Sequence, residues 1–135
     1  MSKLTLNPKL NLYECNGRAF CSSRQMAEEF GKQHDNVLRD IRELDCSKEF
    51  FALNFEESNY KSRGKKFPEY LMTKDGFTFL AMGYRGKKAA KFKEAYIRRF
   101  NEMEHFIKSR YAARLESREL TDAVQLLHDP VMHYH

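Results

Sequence analysis

The stretch from Ser22 to Leu44 constrains the fold of this chain more than any other, because it predicts two short helices separated by a tight bend. Ser22 is followed three residues later by Gln25, which is the spacing of a capping box at a helix N-terminus. Gly31 predicts the end of the first helix, because glycine enters the left-handed conformation without a steric penalty. Neither helix is long enough to be stable alone, so their apolar faces are expected to pack on a shared core. In the second helix the inward-facing residues at helical spacing are Val37, Leu38, Ile41 and Leu44.

This arrangement has the layout of a helix-turn-helix. Ala27 allows the two helices to approach closely, Gly31 makes the bend, and Val37 returns to the core. Asp40 departs from the register, which prefers an apolar residue there, and the neighbouring Ile41 can take that role. Two amphipathic helices also occur in many small domains that do not bind DNA, so an ordinary helical pair is the alternative interpretation.

Two β-hairpins are predicted on either side of the helices. Before them, residues 10–15 alternate like a half-buried strand, and Asn16-Gly17 is the strongest short hairpin signal. After them, residues 54–60 and 67–72 are strand-like and flank a basic segment, with Pro68 indicating a sheet edge or strand start. Two strands around a basic tip predict a wing that lies along a nucleic-acid backbone, and a solvated loop is the alternative. The basic residues of this segment are Lys61, Arg63, Lys65 and Lys66.

Two further helices are predicted after Thr73, which is placed to cap the first of them. The second is a long helix from Lys87 to about Arg110. Its apolar stripe is longer than a domain of this size can cover completely, which predicts a homodimer through the long helix 87–110. Packing of the stripe on the chain's own sheet and helices is the alternative. Lys87 and Lys88 at its start can hold a phosphate together with the free backbone N–H groups, and a solvated basic face is the alternative. The stripe consists of Phe92, Tyr96, Phe100, Met103 and Ile107.

Composition and charge narrow the class of protein. The 135 residues predict one domain over 1–110 and a C-terminal extension or linker over 111–135, and we expect this extension to be cut short before a further region. The net charge of +5 favours an anionic partner, and residues 74–110 hold ten basic against four acidic residues. No apolar run is long enough to span a membrane, and the odd number of three cysteines is typical of a reduced cytoplasmic protein.

The sequence contains no motif typical of an enzyme active site or a metal site. There are no paired carboxylates with histidine at metal spacing, no nucleophile with a partner and no phosphate-binding loop, so the chain is not expected to be an enzyme and no cofactor is expected. A zinc site built from the cysteines and His34 matches no ligand spacing, and His128, His133 and His135 lack acidic partners. We therefore expect no metal site.

Four segments resemble the N-terminal domain of the phage regulatory protein Rha family. They are residues 22–42, Glu49–Phe55, Tyr70–Phe77 and Gly86–Lys93, and they occur in the right order over roughly residues 10–110. That family is similar to the Bro-N and KilA-N domains of large viruses and phages, which are linked to DNA binding. The resemblance implies a phage or prophage regulator in a bacterial cytoplasm, and it implies that a second, variable C-terminal region often follows.

The predicted fold class is therefore α+β, a winged helix-turn-helix-like domain with small β-hairpins and a long C-terminal helix. The predicted function is a transcriptional regulator that places helix 33–44 in the major groove of double-stranded DNA and the basic wing 61–66 on phosphates. An antirepressor-type module that binds a protein and not DNA is the alternative. The candidate DNA-binding residues are Ser23, Arg24, Gln33, His34, Asn36, Arg39, Arg42, Lys61, Arg63, Lys65, Lys66, Lys87 and Lys88.

Overall fold

The structure, a computed structural model, describes the backbone of residues 4–128 and the side chains of residues 4–118. The α+β class and the long C-terminal helix are confirmed. Residues up to Met103 form one compact unit, and residues from Glu104 onwards form another. No helix among the described residues is long and apolar enough to cross a membrane. The elements are β1 (Thr5–Asn7), β2 (Leu12–Cys15), β3 (Arg18–Ser22), α1 (Ser23–Phe30), α2 (His34–Arg42), α3 (Lys48–Asn54), β4 (Phe55–Ser62), β5 (Lys65–Met72), α4 (Lys74–Ala81) and α5 (Lys87–His128).

The five strands form one antiparallel sheet in the order β1-β2-β3-β5-β4. The Asn16-Gly17 turn joins β2 to β3 with φ angles of 53° and 75°, which confirms the predicted hairpin. β3 pairs with β5 only at Cys21↔Met72 and Ser22↔Leu71. β4 and β5, however, pair along their whole length, so their distal half extends past the end of β3. We call this distal half, residues 59–68, the arm.

The predicted helix pair is present with its predicted caps. The Ser22 hydroxyl accepts a hydrogen bond from the Gln25 N–H at 3.1 Å, and the Gln25 side chain accepts one from the Ser22 N–H at 2.8 Å. Gly31 ends α1 with a φ of 66°, in the left-handed region. The inward faces of the two helices are buried, as the apolar spacing predicts: Met26, Ala27, Val37, Leu38 and Ile41.

The core of the first unit lies under α5. Phe77 of α4 contacts Tyr96 and Phe100 of α5, with ring centroids 4.7 and 6.1 Å apart. Tyr96, Phe100 and Met103 are all buried within this unit. Most of the apolar stripe from which the homodimer was predicted is therefore already covered by the chain's own fold.

The long helix also extends 18 residues beyond the predicted end at Arg110, to His128. Alanine, arginine, leucine and glutamate dominate the segment after Arg110, and glycine and proline are absent until Pro130, so no residue there terminates a helix. The predicted extension at 111–135 therefore begins as a continuation of α5, and its residues 129–135 lie outside the described part of the chain.

The helix α3 was not predicted from the apolar density of its segment. Ser47 caps it by accepting a hydrogen bond from the Phe50 N–H at 3.1 Å. At its other end, buried Asn54 accepts a hydrogen bond from the Thr73 hydroxyl at 2.7 Å. A Cβ atom on Gly76 would lie only 2.6 Å from the Asn54 carbonyl oxygen, so glycine lets α4 approach this point. These contacts fix the position at which β4, and with it the arm, leaves the core.

Candidate nucleic-acid interface

α1, α2 and β5 are joined at one buried hydroxyl group. Ser23 is 0% exposed, and its Oγ accepts a hydrogen bond from the Tyr70 N–H at 2.9 Å and lies 2.8 Å from His34 Nε2. Burial and the nearby Arg24 charge lower the pKa of His34, with Asp35 opposing them. A neutral imidazole can accept the Ser23 proton while the Ser23 oxygen accepts from Tyr70. We call this cluster the joint (Ser23, His34 and the Tyr70 backbone).

The arm makes a second contact with α1 through its aromatic rings. The Arg24 guanidinium carbon lies 3.7 Å from the centroid of the Tyr60 ring, which is close enough for a strong cation–π interaction. Tyr60 also contacts the rings of His34, at 6.0 Å, and Phe67, at 5.6 Å with 28° between the planes. Glu69, two residues after Phe67 in β5, is buried. Burial raises the pKa of its carboxyl, whereas the Arg24 charge acts to lower it. Arg24 is thereby held against the arm.

The tip of the arm breaks two rules of hairpin stability. Arg63 has a φ of 51°, a left-handed conformation that residues with a Cβ rarely adopt unless they are Asn or Asp. Lys61 and Lys66 are directly opposite each other across the strands, and like charges at such positions destabilise a sheet. All four basic side chains of the tip, including Lys65, are exposed. A polyanion bound at the tip would relieve this repulsion.

The outer face of α2 carries the predicted base-contacting residues, and Gln33, Asn36, Arg39 and Arg42 are all exposed. At 100° per residue, each step of three positions turns by 60°, so these side chains wind across the outer face and do not form one line. Gln33, Asn36 and Arg39 line an open cavity of about 690 Å³ beside the helix.

Asp40, the residue that departs from the helix-turn-helix register, has a partner outside its own helix. It accepts a hydrogen bond from the Tyr84 hydroxyl at 3.0 Å. Burial, the hydrogen bond and the Asp40 charge raise the pKa of Tyr84, so the phenol remains a donor. A polar residue at this position is thus accommodated by a tyrosine that follows α4.

Lys32 and Lys88 contact aromatic rings that pack against the end of α1. Lys32 sits over the Tyr84 ring at 4.2 Å, and Lys88 lies 5.9 Å from the Phe92 ring. Both rings contact Phe30, the last residue of α1, at 5.4 and 5.6 Å. The arm contacts the first residues of α1, so basic groups lie at both ends of this helix. We call Lys32 and Lys88 the lysine patch.

The structure assigns the predicted site residues to two groups. Ser23 is buried and both contacts of its hydroxyl are internal, so it positions the other elements and does not face a ligand. His34 is half-buried in the same cluster. The other predicted residues are exposed: Arg24, Gln33, Asn36, Arg39, Arg42, Lys61, Arg63, Lys65, Lys66, Lys87 and Lys88.

Sequence reasoning missed three residues of this surface, namely Lys32, Tyr60 and Phe67. A usable signal existed for two of them: a two-residue turn at Arg63-Gly64 sets the strand register that pairs Tyr60 with Phe67. The contacts of Lys32 with Tyr84, 52 positions later, depend on tertiary packing and have no local signal.

The described side chains do not form a metal-binding cluster. They contain no group of three His, Cys, Asp or Glu residues placed to hold a metal ion. Cys15, Cys21 and Cys46 are free, and burial raises the pKa of the Cys21 thiol.

Comparison with known proteins places the chain in a family. Residues 21–105 match the family model of the phage regulatory protein Rha. An uncharacterized protein of Haemophilus influenzae is 50% identical over 91 residues, which cover 64% of this chain and 52% of that protein. An uncharacterized 22.8 kDa protein of Salmonella phage P22 is 38% identical over 91 residues, covering 64% of this chain and 45% of that protein.

A third relative carries a functional name. It is the SPbeta prophage-derived putative antirepressor protein of Bacillus subtilis, 33% identical over 110 residues that cover 75% of this chain and 42% of that protein. The chain thus spans about half the length of the curated relatives it matches. No solved structure matches it. Because the family model covers more than half of the sequence, this chain belongs to the phage regulatory protein Rha family.

Proposed function

We propose that this chain is a phage or prophage transcriptional regulator that binds double-stranded DNA as a winged helix-turn-helix, with α1 and α2 as the helix pair and the arm as the wing. The observation that carries the proposal is the joint at Ser23. It links α1, α2 and β5, because Ser23 Oγ lies 2.8 Å from His34 Nε2 and accepts a hydrogen bond from the Tyr70 N–H at 2.9 Å. The base of the arm is therefore held beside the helix pair.

In this proposal, α2 enters the major groove and its outer side chains contact base edges. Arginine can bond guanine with two hydrogen bonds, and asparagine or glutamine can do the same with adenine. Acidic residues on α2, however, offset the charge of Arg39 and Arg42: Asp35, Asp40 and Glu43. The electrostatic attraction therefore comes from the arm and from the lysine patch, at the two ends of α1.

The proposal is tested by fluorescence anisotropy with random-sequence and host-phage duplexes at several salt concentrations. We expect affinity to fall steeply with salt. Lys65→Ala should weaken binding to all duplexes alike and reduce the salt slope by about 1, because one phosphate contact is lost. Arg39→Ala should reduce the preference between sequences. Lys48→Ala, an exposed charge on α3, is the matched control and should leave binding unchanged.

Two outcomes would contradict the proposal in different ways. If no duplex binds even at low salt, DNA binding is rejected. If Lys48→Ala weakens binding as much as Lys65→Ala does, the attraction is a property of the net charge and the arm has no special role.

The homodimer is proposed through residues 104–118, because Tyr96, Phe100 and Met103 are buried in the first unit. Ile107, Tyr111 and Leu115 follow at spacings of four, on one face of α5, and the latter two are exposed. A dimer would favour a palindromic site. Sedimentation should show Tyr111→Glu to be monomeric at concentrations where the unmodified chain is dimeric, and equal masses for the two would reject the dimer.

A protein-binding module is the second candidate function. The name of the Bacillus subtilis relative includes an antirepressor role, and two large apolar side chains of the first unit are strongly exposed among its described residues, Leu53 at 66% and Met82 at 67%. In this second proposal Leu53 and Met82 supply apolar contacts to the partner protein. Leu53→Asp with Met82→Asp should abolish such a complex, whereas Lys65→Glu with Lys66→Glu should leave it intact. Under either function the chain acts in the bacterial cytoplasm and catalyses no reaction.

A further inference from the structure

We infer that the arm does more than lie along phosphates: Phe67, supported by Tyr60, stacks on the face of a nucleobase in bound DNA. This inference rests on the proposed DNA binding and adds a contact that the charge of the arm does not predict. It also assigns a role to the two aromatic residues that the sequence pattern did not single out.

The alternation of side chains divides the arm into two chemically different faces. Tyr60 and Phe67 are cross-strand partners and therefore share a face. Lys65, two residues before Phe67, points to that same face, whereas Lys61 and Lys66 are paired on the other. One face of the arm thus presents aromatic rings with an ammonium group, which is the combination that contacts a base and its phosphate.

The ring of Phe67 is exposed and is supported from behind. It is 39% exposed, and among the described residues Tyr60 is the ring that it contacts. Tyr60 in turn is held by Arg24 at 3.7 Å and by His34 at 6.0 Å, both from the helix pair. A ring fixed in this way loses little conformational freedom when it binds, because its support already exists in the free protein.

Nucleic acid is the partner that fits both properties of this face. Aromatic side chains stack on the π-faces of bases, and apolar side chains insert at base steps that are bent or partly unstacked. The basic tip supplies charge complementarity to the backbone. The stacked base can come from a deformed step of an intact duplex or from an unpaired nucleotide, and in both cases the chemistry is that of an aromatic ring against a nucleobase.

Salt dependence separates stacking from electrostatic attraction. Phe67→Ala removes no charge, so we expect it to lower the affinity about 5- to 150-fold, the range that corresponds to alanine substitution at one stacked base, while the salt slope stays the same. Lys65→Ala instead lowers the slope. Phe67→Tyr should bind like the unmodified chain, because the ring remains. Leu6→Ala is the matched control, since Leu6 is 43% exposed but lies on β1, outside the arm.

Each measurement is made with an intact duplex, with a duplex containing a one-nucleotide bulge, and with a single strand. A loss in Phe67→Ala on the intact duplex identifies a deformed step as the stacked site, and a loss confined to the other two identifies an unpaired base. Equal affinities of Phe67→Ala and the unmodified chain on all three would overturn the inference. So would a Phe67→Tyr variant as weak as Phe67→Ala, because the damage would then be to the arm and not to stacking.

Failure of the proposed function remains distinguishable from failure of this inference. If the unmodified chain binds none of the three DNAs, both are rejected together. If it binds with a steep salt slope and Phe67→Ala binds equally well, only the stacking contact is rejected and the electrostatic role of the arm stands.

Discussion

Two hairpins of this protein, β2–β3 and β4–β5, have the same backbone geometry at the turn but different residues there. Asn16-Gly17 and Arg63-Gly64 have φ angles of 53° and 75° and of 51° and 77°, respectively. The first turn has the residues that this geometry prefers, and its return strand β3 is almost entirely buried. The second has arginine where asparagine is favoured, and it ends in exposed like charges. The same turn geometry therefore closes a buried hairpin in one case and places exposed positive charges at the end of a hairpin in the other.

This difference indicates where function lies. Sequences agree with local structural preferences at most positions, and departures without a compensating contact concentrate at functional sites. By that criterion we expect the arm to be the functional element of the two and the β2–β3 hairpin to be the structural one. The following predictions test the distinction.

The largest expected effect is on DNA binding by charge reversal in the arm. Lys65→Glu combined with Lys66→Glu turns two attractive contacts into repulsive ones, so anisotropy at low salt should show binding abolished. The matched control is Lys9→Glu with Lys48→Glu, which makes the same change in net charge at exposed positions outside the arm. Equal losses in the two double variants would remove the distinction between the hairpins.

The next largest effect concerns stability at the two glycines. Gly17→Ala should lower the free energy of unfolding by about 1–2 kcal/mol, the cost of left-handed backbone for a residue with a Cβ, because this turn closes a buried strand. Gly64→Ala has the same strain but should lower global stability less, since an exposed tip can open locally. Urea denaturation measures both, and a larger loss for Gly64→Ala would contradict this assignment.

Exchanging the first residues of the two turns, Asn16 and Arg63, should change the free energy of unfolding in opposite directions. Arg63→Asn should raise the free energy of unfolding by up to about 1 kcal/mol, because asparagine tolerates left-handed backbone, and should weaken DNA binding several-fold. Asn16→Arg should lower stability by a similar amount and leave DNA binding unchanged. Thermal denaturation and anisotropy on the same samples provide the comparison, and a stabilising Asn16→Arg would refute it.

The smallest effect concerns the joint, which anchors the arm and has no counterpart in the first hairpin. The folded protein lowers the pKa of His34, so the unfolded chain takes up its proton at a higher pH than the folded one does. The contribution of His34 to stability is therefore present above about pH 6.5 and is lost as the pH falls below it. His34→Gln should show a smaller loss of stability between pH 6.5 and 5 than the unmodified chain in urea titrations.

The sequence predicted those parts of the structure that depend on short-range rules. The capping box at Ser22, the glycine terminus at Gly31 and the Asn16-Gly17 turn are each set by neighbours within three residues, and all are present. The two strands around the basic tip and the capped helix after Thr73 follow from the same kind of signal, although β4 and β5 extend into residues 61–66, which were expected to be a loop.

What the sequence did not reveal depends on contacts between distant residues. Ser23 is followed by helix-forming residues like any first-turn serine, and only the Tyr70 amide, 47 residues away, makes it a buried joint. The stripe on α5 looks unpartnered in sequence, because the residues that cover it, such as Phe77, belong to another element. Helix α3 was obscured by its own apolar density, although its Ser47 cap was a detectable signal.

Pro68 gives the arm a property that concerns neither its binding nor its fold. The Tyr70 N–H points away from β4 towards Ser23, and backbone direction alternates with a period of two, so the nitrogen of Pro68 faces that same open side. Proline has no N–H to donate there, and the charged neighbours Lys61 and Lys66 repel a second ribbon. An exposed two-stranded ribbon is ordinarily a template for edge-to-edge growth into aggregates. Pro68, Lys61 and Lys66 therefore make the open edge of β5 in the arm a poor template for strand addition, so this edge resists growth into aggregates.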